Sequence, residues 1–428
     1  MTESSPIECD LVVIGRGMAG MAATLFAANR GISTVQVGMT GEIIFASGCL
    51  DLLAVPSYGG EKAFDDPWSA MDLLAREVPK HPYHRLKRTE MEAGFEEVVS
   101  FLNQEGVLYS GGAGENLEMM TPLGTIKQTY YAPQSMWDGI KTIQGKTPCL
   151  IIDFHGFADF SATQIAGTLR RRWPSVRSAR ISFPGNIDDR ELIAGDIMAE
   201  TMELSKNREK MADAIRPLVG DAQAVGVPAV MGMQGTQDIL ADLKDRIGLP
   251  VFEIPTFPVS VPGLRLNDAF ARGLTKKGVK RLLQSRVLAV ESSDGGAFVV
   301  HVGKKHPETI VQSRGVLLAT GRFWSRGLVA DRNKIYEPLF DLPVHQPKKR
   351  GQWHNERFLG LTGHPVNRAG LETDDTFRPL DASGGPAFER LFAAGAILAH
   401  QDWKRMKCGS GLAISTSYKA VEAFSKMK

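Results

Sequence analysis

The amino-acid sequence predicts an α/β fold, a largely parallel sheet flanked by helices with a second α/β lobe inserted into it. Three observations carry this expectation. The chain opens on an apolar run, Cys9-Asp10-Leu11-Val12-Val13-Ile14, that leads through a glycine-rich turn and a helix-forming stretch into a second apolar run. Apolar and helical stretches alternate again from about Pro148. A length of 428 residues also exceeds what one ordinary hydrophobic core organises. The expected division is residues 1–80 and 256–428 for the two parts of the first domain, with 81–255 as the inserted lobe.

In chain order, residues 9–14 make a buried parallel strand, and Met21 to Asn29, rich in Ala, make a helix that Gly31 ends. Ile32 to Val37 supplies the second strand, completing a βαβ unit. A glycine-punctuated loop follows from Gly38 to Gly48, and Pro79-Lys80-His81-Pro82-Tyr83 is expected as a linker or surface turn. Residues 90–104 carry helical spacing. In the inserted lobe the expected strands are Cys149–Phe154, Ala179–Phe183, Gly226–Val230 and Pro250–Ile254, with helices at Ser161–Arg172 and Thr236–Arg246. Past the Pro-rich stretch 255–262 come an amphipathic helix at Leu264–Lys277 and a hairpin turning at Ser292-Ser293-Asp294-Gly295-Gly296. Two late strands, Val316–Ala319 and Leu391–Gly395, precede a terminal helix opened by Gly409-Ser410-Gly411.

Composition excludes several function classes. Fifty Lys and Arg stand against 48 Asp and Glu, so no excess of cations points to nucleic acid. The four cysteines, Cys9, Cys49, Cys149 and Cys408, form no C-x-x-C pair, so neither an iron–sulfur cluster nor a metal site is expected. Their scatter suits a reducing cytosol. No signal peptide and no bilayer-spanning apolar run is expected, which leaves membrane association to a partner or a surface patch.

Gly15-x-Gly17-x-x-Gly20 gains its meaning from the strand before it and the helix after it. Gly15 permits the tight turn, Gly17 lets backbone approach a phosphate and Gly20 lets helix and strand pack closely. With Met18 and Ala19 they present free N–H groups and the positive end of the helix to an anion. This is the nucleotide-binding corner of a Rossmann-like fold. An Asp or Glu about 20 residues on, the usual ribose ligand, is missing. Val35-Gln36-Val37 runs into Gly38, and only Gln36 or Thr40 could replace the acid. That favours a mononucleotide, FMN, over FAD, with FAD as the alternative.

Further along, Ala319-Thr320-Gly321 resembles the second fingerprint of glutathione-reductase-type flavoproteins, and Leu391-Phe392-Ala393-Ala394-Gly395 followed by Gly409-Ser410-Gly411-Leu412-Ala413 resembles their C-terminal flavin motif. Ala396 stands where an acid often follows in that superfamily. The resemblance implies a Rossmann-like FAD/NAD(P)-binding fold, with the last helix directed at the flavin ring. Narrower still, residues 10–20, the segment Gly41 to Leu53, Pro262-Gly263-Leu264-Arg265-Leu266 and the closing motif resemble the B-subunit family of bacterial anaerobic glycerol-3-phosphate dehydrogenases. That likeness implies a complex on the cytoplasmic side of the inner membrane. In it an FAD-containing catalytic subunit, this FMN-type subunit and an iron–sulfur membrane-anchor subunit pass electrons from glycerol 3-phosphate to quinone. A self-sufficient FAD-dependent dehydrogenase of succinate- or ketosteroid-reductase type, and a cofactor-free structural subunit, are the competing readings.

The expected cofactor residues are therefore Gly15, Gly17, Met18, Ala19, Gly20, Gly41, Ser47, Gly48, Cys49, Thr320, Gly321, Gly395, Gly409, Ser410, Gly411 and Leu412. Ser47-Gly48-Cys49 is small enough to lie against a flavin edge, with Cys49 either a redox thiol or a packed one. No catalytic residue is assigned. Removing a proton from a secondary alcohol needs a base, for which His364 and His400 are candidates. Arg322 and Arg368 could bind a phosphate bidentately or be ordinary surface arginines. The basic run Pro347-Lys348-Lys349-Arg350 reads as a solvated loop, with docking against an anionic membrane face as the alternative.

Overall fold

The computed structural model describes residues 5–39, 41–60, 62–185, 192–292 and 296–427. The chain divides into two compact units, one made of Met1–Glu42, Asp51–Phe101 and Phe270–Lys428, the other of Ile43–Leu50 and Leu102–Ala269. The sequence-based cuts lie at 80/81 and 255/256; the units part at 101/102 and 269/270, and residues 43–50 go with the second.

The first unit is built on β1 (Ile7–Ile14), α1 (Met18–Asn29), β2 (Thr34–Gly38), β3 (Lys280–Leu283), β4 (Arg286–Ser292), β5 (Phe298–Gly303), β6 (Pro307–Leu318), β7 (Leu391–Ala393) and α2 (Gly409–Ser425). Its seven-stranded sheet runs β3-β2-β1-β6-β5-β4, with β7 also on β6. Strands β3, β2, β1, β6 and β7 are mutually parallel; β4, β5 and β6 form an antiparallel meander. The turn residues Ser293, Asp294 and Gly295 lie outside the described residues, while the antiparallel pairing of β4 with β5 is that of a hairpin. Strand β6 is much longer than Val316–Ala319. It pairs β1 along one edge; on the other, its first half pairs β5 and its last three residues pair β7. Helix α1 buries every residue from Ala19 to Ala27, so its small side chains serve all-round packing rather than an amphipathic face.

The second unit carries a four-stranded, wholly parallel sheet in the order Val251–Ile254, Ala224–Pro228, Cys149–Phe154, Val176–Ile181. All six residues of Cys149–Phe154 are buried, as a central parallel strand requires. Ser161 caps the helix Ala162–Leu169 by accepting from the Gln164 N–H, and Gly248 at φ +84° ends Thr236–Ile247. Two buried carboxylates fix loops to this sheet. Asp153 holds Arg180 through both oxygens and accepts from the Ala162 N–H. Glu253 takes Arg265 bidentately at 2.7 and 2.8 Å and accepts from Met231 N–H, while Arg265 Nε donates to the Gly232 carbonyl.

Segment 79–83 is not the surface turn its composition suggests. His81, Pro82 and Tyr83 are buried, and a short 3₁₀ helix runs over Pro82–Arg85. Among the described residues no helix is long and apolar enough to cross a membrane.

Because Glu253 is buried, Arg265→Met leaves its charge unpaired. That substitution should destabilise the chain by about 3–5 kcal/mol. Urea unfolding of the full chain measures this; an unchanged midpoint would show that the pair carries no such weight.

Candidate functional site

The turn between β1 and α1 is shaped by backbone contacts that exclude side chains. At Gly15, φ +132°, a β-carbon would lie 2.1 Å from the Ala319 carbonyl oxygen; at Gly20 it would lie 2.1 Å from the Gly15 oxygen. Gly41 is as tightly placed against the far side of the turn, 1.9 Å from the Arg16 oxygen. Gly17 is the exception. A β-carbon there would meet nothing within 4 Å, at an ordinary φ of −75°. Gly17 is also the N-cap of α1, and no side chain caps the helix. The first-turn N–H groups of Met18, Ala19 and Gly20 are therefore left without a side-chain cap at the positive end of the helix, which is the donor set an anionic phosphate fits.

At the end of β6 the chain turns through Thr320 and Gly321, the latter at φ +66°. Thr320 Oγ1 is buried without a hydrogen-bond partner, a polar atom left over by the fold. Beyond it, Arg322 is neither a surface arginine nor a free phosphate ligand. It is buried and donates to the carbonyls of Ala396, Asn367, Leu398 and Gln401. Burial pulls it down to about 10, with Asp402 opposing. Arg368 is likewise engaged, donating to the Thr362 carbonyl and lying 3.7 Å from the centre of the Tyr58 ring.

Gly395, φ +76°, donates to Thr416 Oγ1 and packs on α1, where a β-carbon would come within 2.7 Å of that of Ala19. Ser417 Oγ donates to the Ala19 carbonyl, closing α2 onto α1. The N-terminus of α2 is tightly cradled. Gly411 N–H donates to the Asp51 carbonyl at 2.7 Å, and a side chain there would strike Tyr83 Oη; one at Gly409 would strike the Trp403 ring. Leu412 is buried directly behind. Tyr83 is held in turn by donating to the Leu52 and Cys408 carbonyls, and His81 accepts from its backbone N–H.

Ser47, Gly48 and Cys49 belong to the second unit. Gly48, φ +88°, sits against Pro133 and Pro262 and accepts from Tyr109 Oη. Cys49 packs in an apolar cluster with Met119, Ala132, Met136 and Ile140.

At the end of β2, where a ribose-binding acid would stand, Gln36 is fully buried and turned inward. Its Nε2 donates to the Gly15 carbonyl and its Oε1 accepts from Arg281 Nε at 3.0 Å. It is not available to a ribose, and Thr40 lies outside the described residues. Gly38 faces the Arg16 side chain, whose Cγ lies 3.0 Å from where a β-carbon would be.

The two candidate histidines separate clearly. His364 accepts from Asn355 N–H at Nδ1 and pairs the Phe358 carbonyl through Nε2, so both nitrogens hold a loop. His400, at φ +61°, places Nε2 2.7 Å from Glu372 and stacks on His345 with ring centres 4.1 Å apart. Burial lowers His400, which Glu372 opposes. Burial alone would raise Glu372, but hydrogen bonds from His400 and Lys80 outweigh it and hold it down to about 2. The sequence does not announce this group, since His345, Glu372 and His400 are distant along the chain. Their ligand-capable atoms lie within 4.8 Å of one another, with the Lys80 ammonium already on Glu372.

The FAD binding domain family matches residues 10–412, which places the chain among flavin-binding proteins of that class. It is 29% identical over 418 residues to the B-subunit of the anaerobic glycerol-3-phosphate dehydrogenase of Yersinia pseudotuberculosis, covering 95% of this chain and 96% of the relative. It is 31% identical over 427 residues to the protein named as the probable B-subunit of the same dehydrogenase in Halobacterium salinarum, covering 97% of each. The chain belongs to this family of anaerobic glycerol-3-phosphate dehydrogenase B-subunits. Among solved structures, 3-ketosteroid Δ1-dehydrogenase from Sterolibacterium denitrificans matches with a TM-score of 0.43 at 12% identity, over 98% of this chain and 100% of that one.

Gly17→Val should fold, since its side chain enters open space and the lost glycine cap costs about 1 kcal/mol or less. It should nevertheless lose flavin on gel filtration; full retention would show that nothing approaches Gly17.

A second expectation concerns pH. Burial, aided by neighbouring His84, His400 and Arg85, lowers His81 from 6.5 to about 3. The unfolded chain thus binds a proton that the folded chain refuses, and stability falls as pH drops from about 6.5 towards 3. His81→Asn should flatten the fall in melting temperature between about pH 6.5 and 5; an equally steep fall would assign it elsewhere.

Proposed function

We propose that this chain is the FMN-holding subunit of a complex that oxidises glycerol 3-phosphate to dihydroxyacetone phosphate and delivers the electrons to quinone. Its partners in this reading are an FAD-containing catalytic subunit and an iron–sulfur membrane anchor, which hold it on the cytoplasmic face of the inner membrane. The end-to-end likeness to the dehydrogenase relatives supports the substrate and the complex. The uncapped α1 N-terminus before an empty-sided Gly17 is the observation that carries the cofactor role for this chain.

Bound there, a flavin supplies a two-electron acceptor. The chain's own contribution is placement. Gly15, Gly17, Met18, Ala19 and Gly20 take the phosphate, and Gly41 closes the turn from the other side. Thr320 Oγ1 offers a hydrogen bond, and Gly321 lets the backbone turn away. Gly395 locks α2 on α1, with Gly409, Ser410, Gly411 and Leu412 at the head of α2. Ser47, Gly48 and Cys49 are proposed as a flavin-edge loop. His400 is the better placed proton acceptor, because Glu372 orients its ring through Nε2 and leaves Nδ1 to hold a proton. The mononucleotide, rather than FAD, is favoured by the inward-turned Gln36 and by an arginine, not a carboxylate, beside Gly38.

Acid-released cofactor from the purified chain should have the mass of FMN; release of FAD would refute the mononucleotide assignment. With glycerol 3-phosphate and an artificial acceptor, the chain alone should turn over far more slowly than with its partner subunits. Equal rates would remove the relay role.

A further inference from the structure

We propose that Arg16 and Arg281 form an anion clamp at the end of β2 that grips the terminal phosphate monoester of the mononucleotide cofactor. This rests on the FMN reading and names how the chain would select it.

Arg16 lies inside the glycine turn, yet it retains only 8% exposure. It runs over Gly38, and its Nε is fully buried without a hydrogen-bond partner. Arg281 reaches the same place from β3, which pairs β2 with Arg281 opposite Gln36. Its Nε is anchored on Gln36 and its Nη1 contacts the Ala271 carbonyl at 3.4 Å, but Nη2 is buried and unpartnered. Among the described residues neither guanidinium makes an ion pair. Burial pulls both below the ordinary arginine value, and Arg16 adds repulsion at Arg281.

A buried cation and a half-buried one that repel one another, each with a buried donor left over, are costly unless an anion joins them. Arg265, by contrast, is spent on Glu253 and Arg322 on four carbonyls, and although Arg85 and Arg368 each also leave Nε unpartnered, neither faces a second orphaned guanidinium as Arg16 and Arg281 face each other. The position also specifies the anion. Gln36 links the clamp to the Gly15 carbonyl, so the clamp adjoins the turn whose helix start faces a phosphate. An adenosine ribose lacks its usual carboxylate acceptor here, because the two charged side chains in place are donors and the Gln36 oxygen already accepts from Arg281. A dianionic monoester accepts from several donors at once, whereas each phosphate of a pyrophosphate diester carries one charge and a bulky continuation.

The test uses flavin-stripped full-length chain titrated with FMN, riboflavin, FAD and glycerol 3-phosphate, followed by flavin fluorescence quenching and by melting temperature. In the unaltered chain FMN should bind at least about 100-fold more tightly than riboflavin, the scale of two charge-assisted contacts. Arg16→Met and Arg281→Met should each cut FMN affinity about 10- to 100-fold while leaving riboflavin affinity unchanged. Arg16→Lys should restore part of the difference. Inorganic phosphate should raise the melting temperature of the unaltered apoprotein but not of either Met variant, a readout independent of activity and of flavin.

An unchanged FMN-to-riboflavin ratio in both folded Met variants overturns the clamp and leaves the FMN reading standing. Tight FAD binding without FMN binding overturns both. Arginine-dependent stabilisation by glycerol 3-phosphate, with flavin affinities unmoved, reassigns the phosphate to substrate and overturns the cofactor clamp.

Discussion

At Gly15 the Ala319 carbonyl stands where a side chain would have to be, and at Gly20 the Gly15 carbonyl does the same. These two close approaches let β1, α1 and the end of β6 meet as bare backbone. The rest of the first unit follows from that meeting. With no side chains between them, the helix start comes down onto the strand ends, and its unpaired N–H groups are held at a fixed place rather than on a mobile loop. Gly395 extends the arrangement by letting the segment after β7 lie on Ala19, and Thr416 and Ser417 then bind α2 to the same face. A ligand phosphate would meet a rigid donor array that needs no reorganisation on binding.

The buried charges fall into distinct classes by how they are neutralised. Glu253 with Arg265 and Asp153 with Arg180 are mutual pairs, each supplemented by backbone donors, so that desolvation is offset within the second unit. Arg322 hydrogen-bonds to no carboxylate and is stabilised chiefly by carbonyl dipoles. Glu372 is shared between His400 and Lys80 at a half-open position. Beside the glycine turn, Arg16 and Arg281 form a further class, two neighbouring guanidinium groups that each keep a buried nitrogen without a partner.

Much of the first unit is legible in the sequence because its signals are local. The strand, turn and helix of residues 9–29 and the Thr320-Gly321 turn are each dictated by neighbours a few positions apart. Relations across long stretches are not so encoded. Gln36 is a plausible ribose ligand until Arg281, 245 residues later, takes its oxygen. Arg322 reads as a surface residue because carbonyl partners leave no mark in composition. Pro79–Tyr83 carries turn chemistry, yet Tyr83 is needed under α2, and burial overrides the polar look of the segment. Ser47–Cys49 looks like part of the glycine loop in sequence, while Gly48 sits against Pro133 and Pro262 and Cys49 packs with Met119 and Met136. The alternation of strands and helices reveals the second sheet and its parallel sense, but not the stretch of chain that crosses from one unit to the other.

The carbonyl cluster around Arg322 also bears on how the chain reaches this state. Its partners lie 45 to 79 residues further along, in Asn367, Ala396, Leu398 and Gln401. During synthesis the guanidinium therefore emerges well before anything that can bind it, and it stays hydrated until the closing segment arrives. Strand β1 waits in the same way for β6. The second unit has its whole sheet, residues 149–254, available earlier. Loop closure over such distances is slow, so assembly should run from the middle of the chain outward, with the cofactor-facing half completed last. A chaperone or partner subunit that met the nascent chain would encounter the inserted lobe already formed and the nucleotide corner still open.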